Sequence, residues 1–387
     1  MASWTLSRGP TPGASWLLGA LLAMGCGART GLEVPPPRPW EQAQEGGALP
    51  GFPRDCPADL AAPTDPTAPR GIDGGLFFTV AINAAGRASL WGLVADAPAR
   101  VFDIPTALET PGPQRAVSAG GRGLCLLAEA GTVSCSVDDR RDLRPVALPG
   151  EATAIAAAGV SCAVVQGLVY CWDARSRQAR RVPAAVNVRQ MAVHETQACA
   201  VTESGRVFCW DHAGAEGAGG AEVAVGCARE VSLGGGHGCA RTSAGRVVCW
   251  GNNASGQLGA GDVAPRSGLV TVTAPPAVEL TSWSRGTCLR TATGQVWCWG
   301  EDLDLDGQGT RGPQPPTRIA ALDDARGLGA GGVVTRLCVG STCVAGTSVD
   351  HRCATRGGDG FVCWGNNINS QLGRPGSAVP RVMGRLP

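Results

Sequence analysis

The chain has 387 residues, with 33 Lys plus Arg against 32 Asp plus Glu, a formal net charge of +1, 57 Gly, 28 Pro and 17 Cys. No Lys occurs anywhere, which excludes a P-loop lysine, a Schiff-base lysine and a Ser-Lys dyad. The near-neutral balance, with Arg scattered rather than gathered into a stripe, gives no electrostatic footprint for nucleic acid.

At the N-terminus, Arg8 precedes an apolar run from Ala14 to Met24. This run is too short to span a bilayer as a stable helix but suits the core of a secretory signal. It ends in Leu21-Leu22-Ala23-Met24-Gly25-Cys26, which at Gly25 and Cys26 resembles the lipobox of bacterial lipoproteins. The resemblance implies that residues 1–25 are a signal peptide, that Cys26 carries a lipid, and that the mature protein is tethered to a membrane in the cell envelope. Gly27 rather than Asp after Cys26 implies the outer membrane if the source has two. Residues 26–75 are rich in Pro, Ala and Gly, including Pro35-Pro36-Pro37, and read as a semi-extended spacer.

From residue 76 to 387 one phrase returns seven times. Its fullest form is Gly236-His237-Gly238-Cys239-Ala240, then Gly245 through Gly251 reading GRVVCWG, then Asn252 through Gly259 reading NNASGQLG. A phrase at this period marks structural units that bury each other, hence an array of short strands and Gly-rich turns in the all-β class. Within each copy, Cys239 and Cys249 are equidistant from Ala244, so a hairpin with a three-residue loop sets them opposite each other. Gly86, Gly131, Gly205, Gly245 and Gly294 all occupy the loop position that favours the left-handed region. Directly opposed residues in an antiparallel ladder lie within disulfide reach. The expected bridges are Cys125 with Cys135, Cys162 with Cys171, Cys199 with Cys209, Cys239 with Cys249, Cys288 with Cys298, and Cys353 with Cys363. The copy from Cys162 to Cys171 is one residue shorter, so its loop is the two-residue Gln166-Gly167. The first copy has Val80 and Leu90 in place of the bridge.

The last copy allows two pairings. Either Cys353 bonds Cys363 while Cys338 bonds Cys343, or Cys338 bonds Cys363 around a nested Cys343 to Cys353 link; the first is favoured. Cys56 with Cys227 follows by exclusion. Paired thiols at this density belong to an oxidising compartment, and the absence of any CxxC argues against zinc.

Trp250-Gly251-Asn252 with Gly256-Gln257-Leu258-Gly259, and Trp364-Gly365-Asn366 with Gln371-Leu372-Gly373, resemble the repeat of the regulator of chromosome condensation family. Other copies depart from it at Ser136, Asp173, Asp211 and Glu301. The resemblance implies a seven-bladed β-propeller laced by cross-strand disulfides. Residues 378–383 look like the strand that precedes a hairpin, and the first hairpin, Phe77 to Trp91, lacks one. The two chain ends are therefore expected to meet in one shared blade.

Asp302-Leu303-Asp304-Leu305-Asp306-Gly307 has the alternating carboxylates of a calcium loop but Pro313 where the closing Glu belongs, so calcium is considered and not favoured. His194, His212, His237 and His351 are the four histidines, and the last two take a packing role in the family pattern. No GxSxG or HExxH occurs, so no catalytic residue and no cofactor is assigned. The nucleotide exchange known in one branch of the family is not carried over, because its residues are not identified here. The favoured reading is an envelope module binding a protein partner through loops on one propeller face. Inhibition of an extracellular enzyme is one form of it, by analogy with a beta-lactamase inhibitory protein of the same propeller class. Glycan or cell-wall binding is the runner-up, and an enzyme is the rival class.

Overall fold

The computed structural model describes Cys56, Asp59 and residues 70–386, apart from 95–99, 122, 137–141, 174–175, 196, 212–219, 304–309, 321, 332–333, 340–341, 349, 366–371 and 373–380. The repeats fold as seven antiparallel four-stranded sheets, the blades of a propeller. Their innermost strands are Gly71–Gly74, Gln114–Gly120, Ala152–Ala157, Val188–His194, Ala228–Leu233, Ala277–Trp283 and Gly327–Gly331. Each blade then steps outward through a second, third and fourth strand in chain order.

The local cause is visible in blade five. Val247-Val248-Cys249-Trp250-Gly251 is β-branched and aromatic and is buried at every position, as a strand covered on both faces must be. The turn before it closes with Gly245 at φ 77°, and its counterparts Gly86, Gly131, Gly205 and Gly294 fall between 78° and 86°. In blade three both turn residues, Gln166 and Gly167, are left-handed, at 51° and 75°, as a two-residue hairpin turn demands. These turns fix the register that sets Cys opposite Cys in six blades. The Cα atoms of those six pairs are 4.0 to 4.1 Å apart. Val80 opposes Leu90 in blade one.

Blades grip one another through side chains of the repeated phrase. Trp91, Trp250, Trp299 and Trp364 are among the largest fully buried side chains. The Trp299 indole N–H of blade six donates to the Gln257 carbonyl of blade five at 2.9 Å. The loop carrying Gln257 is folded from within, since the Asn253 side chain donates to the carbonyl of Ala264 and accepts from the Leu258 amide. This is the mechanical role of the Asn-to-Gly stretch: it lies beneath the tryptophan of the next blade.

The two chain ends do not share a blade. Blade one begins with its own innermost strand, Gly71–Gly74, and the last strand, Arg381–Arg385, is the outermost strand of blade seven. The expected shared blade is therefore corrected. The sequence concealed Gly71–Gly74 because that strand is selected for close approach rather than strand propensity. A Cβ on Gly74 would lie 2.7 Å from the Gly331 Cα, and one on Gly329 would lie 2.9 Å from the Asp73 Cα. Closure is instead by packing of Ile72, Ala81 and Trp91 against Phe361, Cys363 and Leu386, helped by the Asp359 carboxylate, which accepts the Ala84 amide at 2.7 Å.

The blades define two ends. The tight turns between second and third strands lie at the turn end. The connections from first to second and from third to fourth strands lie at the loop end.

Candidate binding channel and loop face

The innermost strands of all seven blades enclose a cavity of about 670 Å³. Its wall combines Gly and Ala with apolar side chains such as Met191, Val231 and Leu328 and with polar ones such as Asp73, Gln190, His194, Glu230 and Glu279.

Toward the turn end, a ladder irregularity follows Val188, Ala228 and Ala277, and the residue after each irregularity reaches into the neighbouring blade. Gln190 of blade four donates to the Val231 carbonyl at 3.0 Å and accepts the Val231 amide at 2.9 Å. Glu230 of blade five accepts the Leu280 amide at 3.0 Å, and Glu279 of blade six accepts the Leu328 amide at 3.0 Å. Behind each glutamate stands the arginine directly opposite in the ladder: Arg241 donates to Glu230 at 3.0 Å and Arg290 to Glu279 at 2.6 Å. Gln190, which is neutral, faces Val201 instead. Burial, with the neighbouring Glu279 charge adding to it, pushes Glu230 up to about 7 against the opposing pull of Arg241.

Asp73 continues the bracing across the closure. It accepts the Ala119 amide of blade two at 2.8 Å and its neighbour Gly74's amide at 2.9 Å. Burial raises it to about 7, while those amides, that of Ala330 in blade seven and the Ser118 hydroxyl pull the other way. Ser118 in turn accepts the Ala157 amide of blade three at 3.0 Å.

At the loop-end mouth the charges are mixed. The Ser284 hydroxyl lies 2.7 and 2.8 Å from the two oxygens of buried Asp350 and donates its one proton to that carboxylate. Arg285 pairs with Glu301 at 2.6 Å, and the buried Arg352 guanidinium sits 4.0 Å above the Trp283 ring. His194 lines the channel beside Glu195, a non-glycine residue at φ 47°. Burial lowers the His194 imidazole, opposed by the charges of Glu195 and Asp350. His237 is buried against the Thr287 hydroxyl at 2.9 Å, and burial drives it down to about 3, so it is a neutral packing group that ties blade five to blade six.

Among the residues singled out in the sequence, the six hairpin pairs are disulfides, as is Cys56 with Cys227, whose Cα atoms are 5.2 Å apart. Cys338 stands opposite Cys343 in a separate two-stranded ladder. Asp302 lies in a strand, opposite Arg311. Cys26, Asp304, Asp306 and His212 lie outside the described residues. Among the described residues, no cluster of three or more His, Cys, Asp or Glu is placed to hold a metal ion.

The bracing set of Asp73, Gln190, Glu230, Glu279, Arg241 and Arg290 was not singled out from the sequence, yet a signal existed. Glu230 and Glu279 each follow an alanine by two positions, and Arg241 and Arg290 each follow the hairpin cysteine by two.

In sequence, residues 228–257 match the regulator of chromosome condensation (RCC1) repeat. No curated protein matches the chain. In structure it is similar to Prp20p of Saccharomyces cerevisiae, described with its binding properties to Gsp1p and histones, at TM-score 0.55 and 15% identity over 67% of this chain and 80% of that one. Yeast RCC1 (Prp20) bound to Kap60 gives 0.55 and 14%, over 67% and 78%. PorZ, a bacterial surface component of the type-IX secretion system of Porphyromonas gingivalis, gives 0.51 and 10%. That likeness covers 84% of this chain and 39% of PorZ. At these identities the likeness establishes the propeller fold.

Proposed function

We infer that this chain, a seven-bladed propeller carrying regulator of chromosome condensation repeats, is an exported module that binds another protein with its loop end. The observation that carries this reading is the division of labour in the ring. Glu230 and Glu279 each spend one oxygen on a neighbouring blade's amide and the other on an arginine of their own blade, so these channel carboxyls serve as braces. The longest fully described connection, 252–269, joins the third and fourth strands of blade five and so lies at the loop end. A rigid scaffold with long loops on one face is the general form of a recognition surface.

Export is supported by the cross-strand disulfides, which persist in oxidising compartments, and by the leader ending at Cys26. A lipid on Cys26 and the segment between it and Cys56, the first residue bridged to the ring, as spacer would hold the ring off the membrane. Inhibition of an extracellular enzyme is one form that such binding could take. The bacterial surface location of PorZ and the protein partners of Prp20p belong to those proteins; they are consistent with this use of the fold.

Two measurements test the reading. Mass spectra of the natively purified protein, unreduced and reduced, should show a lipid mass on Cys26 and closed hairpin bridges; an intact leader with free thiols would remove export. Capture from an envelope extract should yield one partner whether or not sugars are added, whereas loss of the partner with added sugars would transfer the reading to glycan binding.

A further inference from the structure

The segment that precedes the ring is fastened at one end of it. Cys56 is bonded to Cys227, which stands immediately before the innermost strand of blade five, Ala228–Leu233. The Cys227 carbonyl accepts the amide of Ser243, in the turn between second and third strands, at 2.8 Å. A Cβ on Gly205, in the equivalent turn of blade four, would lie 3.0 Å from the Cys227 Cα. Three residues beyond Cys56, the Asp59 carboxylate pairs with Arg241, beside the blade-five turn. The attachment is therefore at the turn end, next to the seam between blades four and five.

This position constrains a tether. Residues 27–55 separate Cys26 from Cys56, and a flexible chain of roughly 30 residues has an r.m.s. span of about 30 Å. To present the loop end to a membrane, the tether must first clear the edge of a blade, about 14 Å across four strands, and then run about 20 Å along a six-residue strand. That detour consumes the whole r.m.s. span, whereas the turn end meets the membrane without one.

The turn end beside the attachment is also cationic. Five blades place an arginine where the innermost strand starts: Arg70, Arg115, Arg189, Arg229 and Arg326. Arg70 and Arg115 donate to the Gln114 and Ala152 carbonyls of the following blades. Arg189 and Arg229 are half-buried and belong to the two blades that meet at Cys227. In these blades Arg206 is paired with Glu222, and Arg241 with Asp59 and Glu230. Beyond those pairs, the described charges at this part of the turn end are Arg189, Arg229 and Arg246 against Glu203.

We propose that the turn end is the membrane-facing surface of the ring and that its partner is an anionic lipid bilayer, with Arg189 and Arg229 against the headgroup phosphates. The loop end is then held outward, where a protein partner arrives. This rests on the lipid tether of the reading above and adds which face that tether turns to the membrane.

The chain contains no Lys, so one introduced lysine is a unique side-chain amine. Ala244 and Ala260 are both exposed and both in blade five, the first in the turn and the second in the loop-end connection. Ala244→Lys and Ala260→Lys are made in the full lipidated chain and labelled with an amine-reactive fluorophore, with labelled wild type as the blank. The proteins are bound to phosphatidylcholine vesicles containing phosphatidylglycerol and a headgroup quencher, and equal melting temperatures confirm that the variants are folded. Attraction of about fivefold per arginine predicts that the label at position 244 is quenched about tenfold more than that at 260, and that Arg189→Gln with Arg229→Gln lowers this ratio several-fold. A ratio near one, a reversed ratio, or a ratio that the double variant leaves unchanged overturns the inference while the tether reading stands, since the vesicles still hold the protein. Protein that carries no lipid mass and does not float with the vesicles overturns both.

Discussion

Trp91 of blade one and Phe361 of blade seven stack with ring centroids 4.9 Å apart and an interplanar angle of 29°. Both are fully buried, and they meet where the first and last blades join without sharing a strand. Truncating Phe361 to Ala removes this contact and opens a void between two blades. We expect a loss of about 3–5 kcal/mol in urea unfolding, the usual range for a buried aromatic. A loss under about 1 kcal/mol would show that the closure does not depend on this stack.

Blades four and five solve one bracing problem in two ways, and the solutions should be transferable. Glu230 needs Arg241, whereas Gln190 faces Val201 and needs no cation. Arg241→Val alone leaves the largely buried Glu230 carboxyl without its partner and, since burial already favours its protonated form, costs about 1–3 kcal/mol. Adding Glu230→Gln copies blade four and should return stability to within about 1 kcal/mol of wild type. The Asp59 carboxylate, which pairs with Arg241 at 2.8 Å, is one-third exposed and adds little to the loss. Denaturation of the two single variants and the double variant gives the coupling; additive losses would refute the transfer.

The same carboxyls set a pH dependence whose sign is opposite to that of an ordinary salt-bridged acid. Asp73 and Glu230 are raised to about 7, so the folded state holds protons that the unfolded chain releases near pH 4. Their contribution is fully present below the unfolded values and is lost as pH rises through about 7. His237, lowered to about 3, acts oppositely, since the unfolded chain takes up its proton below about 6.5 and stability falls as pH drops from there. Above about pH 6.5 only the carboxyls remain, and the melting temperature should decline toward pH 8. Glu230→Gln should flatten that decline. An unchanged slope in this variant would assign the decline to another group.

The fold was legible because its determinants are local and repeated. Gly245 and its counterparts specify the turn, the turn specifies the register, and the register brings Cys239 to Cys249. The closure was not legible, because Gly71–Gly74 is written for backbone contact with Gly329 and Gly331 rather than as a strand. The bracing set was half legible. Glu230 and Arg241 recur as Glu279 and Arg290 at the same repeat positions, but that each carboxylate also reaches the next blade's amide is a fact of blade spacing, which one repeat does not encode. The separate ladder of Cys338 and Cys343 was visible as the irregular spacing around Cys338, yet its independence from the sheet of blade seven emerges only from the pairing of Gly327–Gly331 with His351–Arg356.

The bridge between Cys56 and Cys227 should matter more to stability than any hairpin bridge, although it lies outside the repeated phrase. It spans 171 residues against 10 for Cys239 with Cys249. Loop entropy assigns about 5 kcal/mol to the long loop and about 3 to the short one. The three hairpin bridges nested within the long loop, at Cys125, Cys162 and Cys199, shorten the free chain only slightly. The long bridge also places Asp59 against Arg241, so its loss loosens a contact that supports the Glu230 brace. Cys56→Ser with Cys227→Ser should therefore lower the melting temperature more than Cys239→Ser with Cys249→Ser. Equal shifts for the two pairs would mean that loop length does not set what each bridge contributes.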